Sequence, residues 1–388
     1  MGYGSRWDLG LPKGLPQACL VVRRCRLIPT RSSEMTVMAA AVPSNRERFK
    51  LFLRKIGSGE HTSSSLSREE AREAMEMMLT GQASSAQIGA FLIAHRIRRP
   101  EPQELAGMLD LYHQLGPSLR SVKRTICFGM PFDGRTRTAP IYPLTALVLA
   151  AAGLPVMLQG GGRMPVKYGV TAMELFTSLG LGLDGLSLEL LEQGLDQQGL
   201  ALMHQPDHFP LAESLNEVRA DLGKRPPVAS LELLWTAHRG PHLLVSGFVH
   251  PPTEARAWKT LHLAGEADLI TVKGLEGSTD LPISRACITA RVKDGQAERK
   301  ILHPRDHDCY APDVPWTDLE DWSRQAMEAL EGHGPLLTSV VWNAGSYLWM
   351  ADLLPTHEQG LEKARHLLFS GAARSKLRQL IEWRRDVA

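Results

Sequence analysis

The chain has 388 residues, a mass of 42.8 kDa and a formal net charge of +2. This balance excludes a globally basic nucleic-acid-binding protein, although it is compatible with a local basic groove. No apolar run approaches the roughly 18 residues that span a bilayer, which excludes a membrane protein. The five cysteines are scattered and form no CxxC pair, so we expect a reducing compartment and a cytoplasmic protein.

The first 44 residues differ in composition from the rest of the chain. Residues 1–34 carry six basic and two acidic side chains and show neither a helical nor an alternating period. We interpret residues 1–44 as an extension that is either disordered or the product of a start assigned too early. A targeting leader is the alternative, because Arg-rich and acid-poor leaders exist.

A helical domain is predicted over residues 45–118. The motifs SREE (67–70) and SSAQ (84–87) are capping boxes, and apolar residues follow each of them at helical spacing. A third helix is predicted over about 102–115. Weaker helical signals lie in 182–235, and the sequence leaves open whether part of that segment joins the helical domain.

From residue 119 to the C-terminus the pattern alternates between strands, glycine-rich loops and helices. Five strands are predicted, with the sequences RTICF, PVMLQ, ALMHQ, HLLVSGFV and DLITVK. Such alternation is typical of a mostly parallel sheet with helices on both faces. The fold class is therefore α/β with a separate helical domain.

Two loops that follow the first two predicted strands have the composition of an anion site. Ligands of such sheets bind beyond the carboxyl ends of the strands. Arginine guanidinium groups and the backbone N–H groups of glycine loops both suit phosphate. We therefore expect phosphate or another anion to bind at Gly129, Asp133, Gly134, Arg135, Arg137, Thr138, Gly160, Gly161, Gly162, Arg163 and Lys167.

Four segments resemble the anthranilate phosphoribosyltransferase family, also called glycosyltransferase family 3. They read LSREEAREAMEMMLTGQASSAQIGAFLIAHRIRRPEPQELAGM, AAAGLPVMLQGG, VRADLGKRPP and TVKGLEGSTD, and the resemblance runs from about 49 to about 335. It implies a nucleoside-phosphorylase-like fold with a helical and an α/β domain. It also implies transfer of phosphoribose from phosphoribosyl pyrophosphate to the amine of anthranilate, with magnesium, by a homodimer.

The pyrophosphate loop of the family is only partly matched. Gly129, Asp133 and Gly134 keep three of the six positions of Gly-Thr-Gly-Gly-Asp-Gly, whereas Met-Pro-Phe stands at 130–132. Proline removes an N–H donor, and phenylalanine adds bulk where the resemblance places a diphosphate. The Lys-His-Gly stretch of the family is replaced by Leu-Gln-Gly at 158–160.

Two further positions follow from the resemblance. The Asp-Glu pair that binds magnesium falls on Thr279 and Asp280, so a magnesium ion would be held more weakly, through Asp280. Arg219 matches the arginine that contacts anthranilate, which makes it the candidate acceptor-binding residue. No catalytic side chain is assigned.

Two hypotheses for the function follow. The first is an enzyme, a paralogue of the tryptophan-biosynthesis transferase, that moves a pentosyl group to a nitrogen acceptor other than anthranilate. The second is a non-catalytic paralogue that binds nucleic acid through the Arg-rich loops. The Asp133–Gly134 turn and Arg219 favour the transferase, whereas Pro131, Phe132 and the lost acidic pair favour the nucleic-acid binder.

Overall fold

The computed structural model describes residues 44–293 and 295–387. The interpretation of the N-terminal extension concerns residues that lie outside these ranges, apart from Ser44, whose side chain caps the first helix. Among the described residues, no helix is long and apolar enough to cross a membrane.

Four helices form the first part of the described chain: α1 Asn45–Ile56, α2 Arg68–Leu79, α3 Ser85–Arg98 and α4 Pro102–Leu115. Both expected capping boxes are present. In each, a serine hydroxyl accepts a hydrogen bond from the N–H three residues on, at Glu70 and at Gln87. The apolar faces of the helices meet in a shared core that includes Phe49, Phe52 and Phe91.

The second part of the chain is built on one seven-stranded sheet: β1 Thr125–Gly129, β2 Val156–Gly160, β3 Leu200–His204, β4 His242–Gly247, β5 Asp268–Val272, β6 Cys287–Lys293 and β7 Gln296–Leu302. The strand order is β3-β2-β1-β4-β5-β6-β7. Strands β1 to β5 are parallel, whereas β6 and β7 are antiparallel to their neighbours. The five predicted strands are the five parallel ones.

The remaining α-helices are α5 Tyr142–Ala151, α6 Ala172–Ser178, α7 Leu188–Gln198, α8 Gln205–His208, α9 Pro210–Glu213, α10 Leu215–Leu222, α11 Leu231–Leu234, α12 Pro251–Leu263, α13 Leu319–Leu330, α14 Leu337–Met350, α15 His357–Phe369 and α16 Ala372–Asp386. Short 3₁₀ helices occupy Pro227–Ser230, Leu275–Gly277 and Pro304–His307. The expected fold class, a helical domain plus an α/β domain, is confirmed.

The hairpin formed by β6 and β7 was not predicted from the sequence. Most residues of β7 are exposed and polar or charged, because this strand lies at the edge of the sheet. An edge strand of this kind buries no regular apolar face, so it lacks the alternation by which strands are recognised in a sequence.

Helix α5 fixes the position of the loop that follows β1. Every residue from Tyr142 to Ala150 is buried, and α14 and α16 pack against this helix. A helix that is apolar on all sides belongs in the interior of a domain. The loop between β1 and α5 is therefore held at both ends by buried elements.

Helix α2 crosses α4 so closely that the contact requires a glycine. A Cβ atom built on Gly107 of α4 would lie 2.0 Å from the carbonyl oxygen of Arg68. By contrast, a Cβ on Gly89 of α3 would meet Val218 and Leu222 of α10 at 4.0 Å, which is ordinary contact. Helix α10, from the segment 182–235, therefore packs on the helical domain.

These two glycines give a matched test of the helix packing. Gly107→Ala should lower the free energy of unfolding by about 1–3 kcal/mol, because the methyl group forces the two backbones apart. Gly89→Ala should be neutral or stabilising by up to about 1 kcal/mol, since alanine favours the helix over glycine. Both are measured by urea denaturation, and equal effects of the two substitutions would contradict the packing described.

Candidate functional site

The strand order places the candidate site at the centre of the sheet. From β1 the sheet extends to β2 and β3 on one side and to β4 and β5 on the other. The direction in which successive strands are added therefore reverses between β1 and β4. Ligands of open α/β sheets bind at such a switch point, outside the carboxyl ends of the strands. The loop after β1 and the loop after β5 meet at this edge.

The carboxylate of Glu276, in the loop after β5, lies at the centre of the site. Its Oε1 accepts hydrogen bonds from the backbone N–H groups of Arg137 and Thr138, each at 3.1 Å, and from the Thr138 hydroxyl at 3.1 Å. Its Oε2 accepts from the N–H of Thr136 at 3.4 Å. Three successive N–H groups that point at one anion form the concave kind of site called a nest. The loop that was expected to bind an external anion therefore binds an internal carboxylate.

Three basic side chains surround the same carboxylate. Arg135 Nε lies 3.1 Å from Oε1, Lys167 Nζ lies 3.4 Å from Oε2, and Arg137 Nε lies 3.8 Å from Oε2. Burial by itself would raise the pKa of Glu276, but the charges of Arg135 and Lys167 and the backbone hydrogen bonds lower it to about 2. Glu276 is therefore ionised at neutral pH.

Arg135 is an internal residue rather than a free anion ligand. It is 2% exposed, and its Nη1 donates to Asp280 Oδ2 at 2.7 Å and to Ser278 Oγ at 2.8 Å. Its Nη2 also donates to the Thr138 hydroxyl. All of its hydrogen-bonding capacity is directed at the protein, so an external phosphate would have to displace one of these groups.

Asp280, the expected magnesium ligand, is also engaged inside the protein. It is buried, and the oxygen that accepts from Arg135 accepts the N–H of Ile141 at 2.9 Å as well. Among residues 44–293 and 295–387, no group of three histidine, cysteine or acidic side chains is placed to hold a metal. As they are arranged, these residues do not fit a magnesium ion.

Lys167 is the side chain of the second loop that reaches Glu276, whereas Arg163 and the glycines of this loop lie elsewhere. Arg163 Nε bonds Glu174 Oε1 at 2.8 Å, at an exposed position. Gly161 packs against Phe132 and Met164, since a Cβ atom there would lie 2.5 Å from the Met164 methyl group. The space between the two loops is about 20 Å³. This volume has room for about one water molecule, so no sugar phosphate fits between the loops in this conformation.

The retained glycines of the first loop serve close packing. A Cβ atom on Gly129 would lie 2.2 Å from the carbonyl oxygen of Leu233. Gly134 has φ +78° and approaches the backbone of Gly169 just as closely. Asp133 is buried and pairs with Arg225.

Arg219, the candidate acceptor-binding residue, is likewise paired inside the protein. Its Nη1 lies 2.6 Å from Glu232 Oε1, and both side chains are buried. The other oxygen of Glu232 accepts the N–H of Phe132 at 2.7 Å. The guanidinium group that the resemblance assigns to contact with anthranilate therefore already holds a carboxylate.

Sequence reasoning missed both glutamates. Glu276 stands inside the segment TVKGLEGSTD and Glu232 lies 13 residues after Arg219, but neither spacing marks an acid as the partner of a distant arginine. The sequence contained one signal. Each glutamate lies in or near a segment that carries the family resemblance, TVKGLEGSTD for Glu276 and VRADLGKRPP for Glu232.

Comparison with known proteins gives the family. The helical bundle domain of a glycosyl transferase family matches residues 50–116, and the α/β domain of the same family matches residues 135–374. The chain therefore belongs to this glycosyl transferase family, and the resemblance found in the sequence is confirmed.

Several relatives of the chain are anthranilate phosphoribosyltransferases. Those of Laribacter hongkongensis and Chromobacterium violaceum are each 28% identical, over 81% of this chain and 92% of theirs. Among solved structures, the enzyme from Thermus thermophilus superimposes with a TM-score of 0.71 at 24% identity, over 87% of this chain and 99% of that one. The Saccharomyces cerevisiae enzyme in complex with PRPP and Mg gives a TM-score of 0.72 at 14% identity, over 87% and 98%.

The ionised state of Glu276 should stabilise the fold in a pH-dependent way. Its pKa is about 2 in the folded chain against an ordinary value of 4.5, so this stabilisation is complete above pH 4.5 and is lost as the pH falls through about 2. Glu276→Gln should therefore cost on the order of 3 kcal/mol at pH 7 and less at pH 3.

Denaturant unfolding at the two pH values measures this difference. Glu362→Gln is the matched control, because Glu362 is exposed on α15 and forms no ion pair with a described residue. A cost of Glu276→Gln that is the same at pH 7 and pH 3 would show that the carboxylate charge is not what holds the loops.

The Arg219–Glu232 pair gives a second test. Arg219→Met alone leaves the Glu232 charge buried without its partner and should cost about 3–5 kcal/mol. Adding Glu232→Gln removes that charge but keeps an acceptor for the N–H of Phe132, so the double variant should recover much of the loss. A double-mutant cycle by urea unfolding measures the coupling, and strictly additive effects would argue against the pair.

Proposed function

We propose that this protein transfers a phosphoribosyl group from phosphoribosyl pyrophosphate to a nitrogen acceptor other than anthranilate. The observation that supports this proposal is the nest around Glu276. Three N–H groups, the buried Arg135, the partly buried Lys167 and the exposed Arg137 already bind one carboxylate there. The same donors suit a phosphate oxygen, which carries equal or greater charge.

Binding of the sugar phosphate would require Glu276 to leave the nest. The neighbouring space of about 20 Å³ is too small for both groups. Glu276 has a backbone φ of +54°, a left-handed conformation that costs a non-glycine residue about 1 kcal/mol or more. Relief of this strain would offset part of the energy lost when the carboxylate leaves. In this proposal the glutamate competes with the substrate for one site.

The pair of Arg219 and Glu232 supports the change of acceptor. Anthranilate would bring its carboxylate to a guanidinium group that an internal carboxylate already neutralises at 2.6 Å. Expelling a buried, hydrogen-bonded glutamate is costly. We therefore infer that the acceptor is an amine or a heterocyclic nitrogen without a carboxylate at this position.

The transfer itself would depend on positioning and charge rather than on a protein nucleophile. Departure of the pyrophosphate leaves a cationic sugar carbon, and the nest and its arginines would stabilise the charge of the leaving group. No step is assigned to a metal ion, because Asp280 is bonded to Arg135. We further infer a cytoplasmic protein, from its scattered cysteines, and a homodimer, as the resemblance implies.

The nucleic-acid alternative has less support. Arg135 is buried and bonded to Asp280, and Arg163 pairs with Glu174, so neither is free to meet a phosphate backbone. None of the relatives named above is described as a nucleic-acid-binding protein.

Calorimetry with phosphoribosyl pyrophosphate, with and without magnesium, tests the proposal. Wild type should bind one equivalent, and Glu276→Gln should bind at least about tenfold more tightly, because the competing charge is gone. Glu362→Gln should behave like wild type. Absence of binding in wild type and in Glu276→Gln alike would overturn the proposal.

Release of pyrophosphate in the presence of candidate amines then tests the acceptor. Amines and heterocycles that lack a carboxylate should support turnover, whereas anthranilate should not. Turnover with anthranilate at a rate equal to the best of these amines would contradict the assignment of the Arg219–Glu232 pair.

A further inference from the structure

A second cavity, of about 570 Å³, opens between the helical domain and the α/β domain. We call it the interdomain cleft. One side is formed by the carboxyl end of β4 and the start of α12, and the other by the end of α3 and the segment 225–234. Its volume lies within the range of cavities that hold small organic ligands. Neither the resemblance nor the proposed transfer uses it.

The cleft is lined by four arginines, at 96, 99, 225 and 256, and by His250. The single acidic side chain in its lining, Glu254, is buried, and both of its oxygens are engaged, by Arg299 and by the Thr271 hydroxyl. One of the four arginines, Arg225, pairs with Asp133.

Arg96, Arg99 and Arg256 have no carboxylate partner among residues 44–293 and 295–387. Their charges lie in one concave surface with walls of low polarity, which concentrates the positive potential inside it. An empty cleft leaves these charges to repel one another, and a bound anion would relieve that repulsion.

Two of these arginines are fixed by the backbone. Arg99 ends α3 with φ +66°, and its N–H bonds the carbonyl oxygen of His95. Arg96 Nη1 donates to the carbonyl oxygen of Arg225, which ties the end of α3 to the segment 225–234 on the same side of the cleft. The Arg96 guanidinium group, which already holds a hydrogen bond, loses little freedom when a ligand binds.

The rest of the lining is mostly apolar. It includes five prolines and the side chains of Leu105, Leu233, Leu234, Phe248 and Ala257. Arginine donors beside an apolar wall match a ligand that has both an anionic group and an uncharged body. Free inorganic phosphate would use the arginines but leave the apolar wall empty.

We propose that the interdomain cleft binds an organic phosphate of nucleotide size, of the class of the nucleoside diphosphates. The phosphate groups lie against Arg96, Arg99 and Arg256, and the base and sugar lie along the proline-lined wall. The proposal does not depend on the phosphoribosyl transfer proposed above, since it uses none of the residues around Glu276.

Calorimetry of the full chain with ADP, in the absence of magnesium, tests this site. Wild type should bind one equivalent, and Arg96→Ala with Arg256→Ala should weaken binding at least about a hundredfold, because two charge-assisted contacts are lost. Arg385→Ala is the matched control: Arg385 is exposed on α16, and its removal takes away a positive charge far from the cleft lining. Thermal unfolding of each variant without ligand checks that it folds.

The outcomes are distinct. ADP binding that is lost in the double variant and kept in Arg385→Ala supports the proposal. ADP binding that the double variant leaves unchanged, or that inorganic phosphate matches in affinity, would overturn it. The proposal also fails if ADP does not bind while a single-stranded oligonucleotide does, with an affinity that falls steeply with salt and depends on Arg96 and Arg256.

Discussion

The buried ion cluster of Arg135, Glu276 and Asp280 holds the loops at the carboxyl edge of the sheet together. Glu276 binds the backbone of the loop after β1, and Asp280 binds the N–H of Ile141 at the start of α5. Arg135 lies between the two carboxylates, at 3.1 and 2.7 Å. Lys167 adds a second positive charge, so the charges of the cluster balance. Buried charges that were not matched in this way would be very costly.

This cluster determines what the site presents to a ligand. The donors that suit a phosphate are present, but a side chain of the same protein has already engaged them. The Arg219–Glu232 pair is a second case in which an internal carboxylate holds a predicted ligand-binding cation. It lies where the resemblance places the acceptor. In both places a glutamate stands where a ligand anion would bind. Family membership therefore gives the scaffold, whereas the proposed transfer requires Glu276 to move and Glu232 to stay in place.

Unbalanced positive charge is found elsewhere in the fold. Arginines in the loops after β1 and β2 are paired with acids, whereas those of the interdomain cleft are largely not. The cleft also has the volume that the space between the loops lacks. The interdomain cleft therefore has room for an anion from solution, whereas the nest around Glu276 is already filled by a carboxylate.

The sequence by itself determined the architecture of this protein. Capping boxes at 67–70 and 84–87, alternation of strands and helices after 119, and the family motifs predicted both folded parts and the five parallel strands. These features depend on local hydrogen bonds and on periodic burial, which neighbouring residues encode. The exposed hairpin of β6 and β7 was not predicted, because it has neither a capping motif nor a periodic apolar pattern.

Only the tertiary structure decided what the candidate residues do. The sequence places Arg135 and Arg137 in the right loop, but Glu276 lies 141 residues from Arg135 along the chain and 3.1 Å away in space. Arg135 and Glu276 are brought together because β4 and β5 pair in order beside β1. No spacing in the sequence indicates this strand order. The same holds for the cleft, whose arginines come from α3, α12 and the segment between α10 and α11. Charge pairing acts between side chains that the fold makes neighbours, so its outcome is fixed only when the chain has folded.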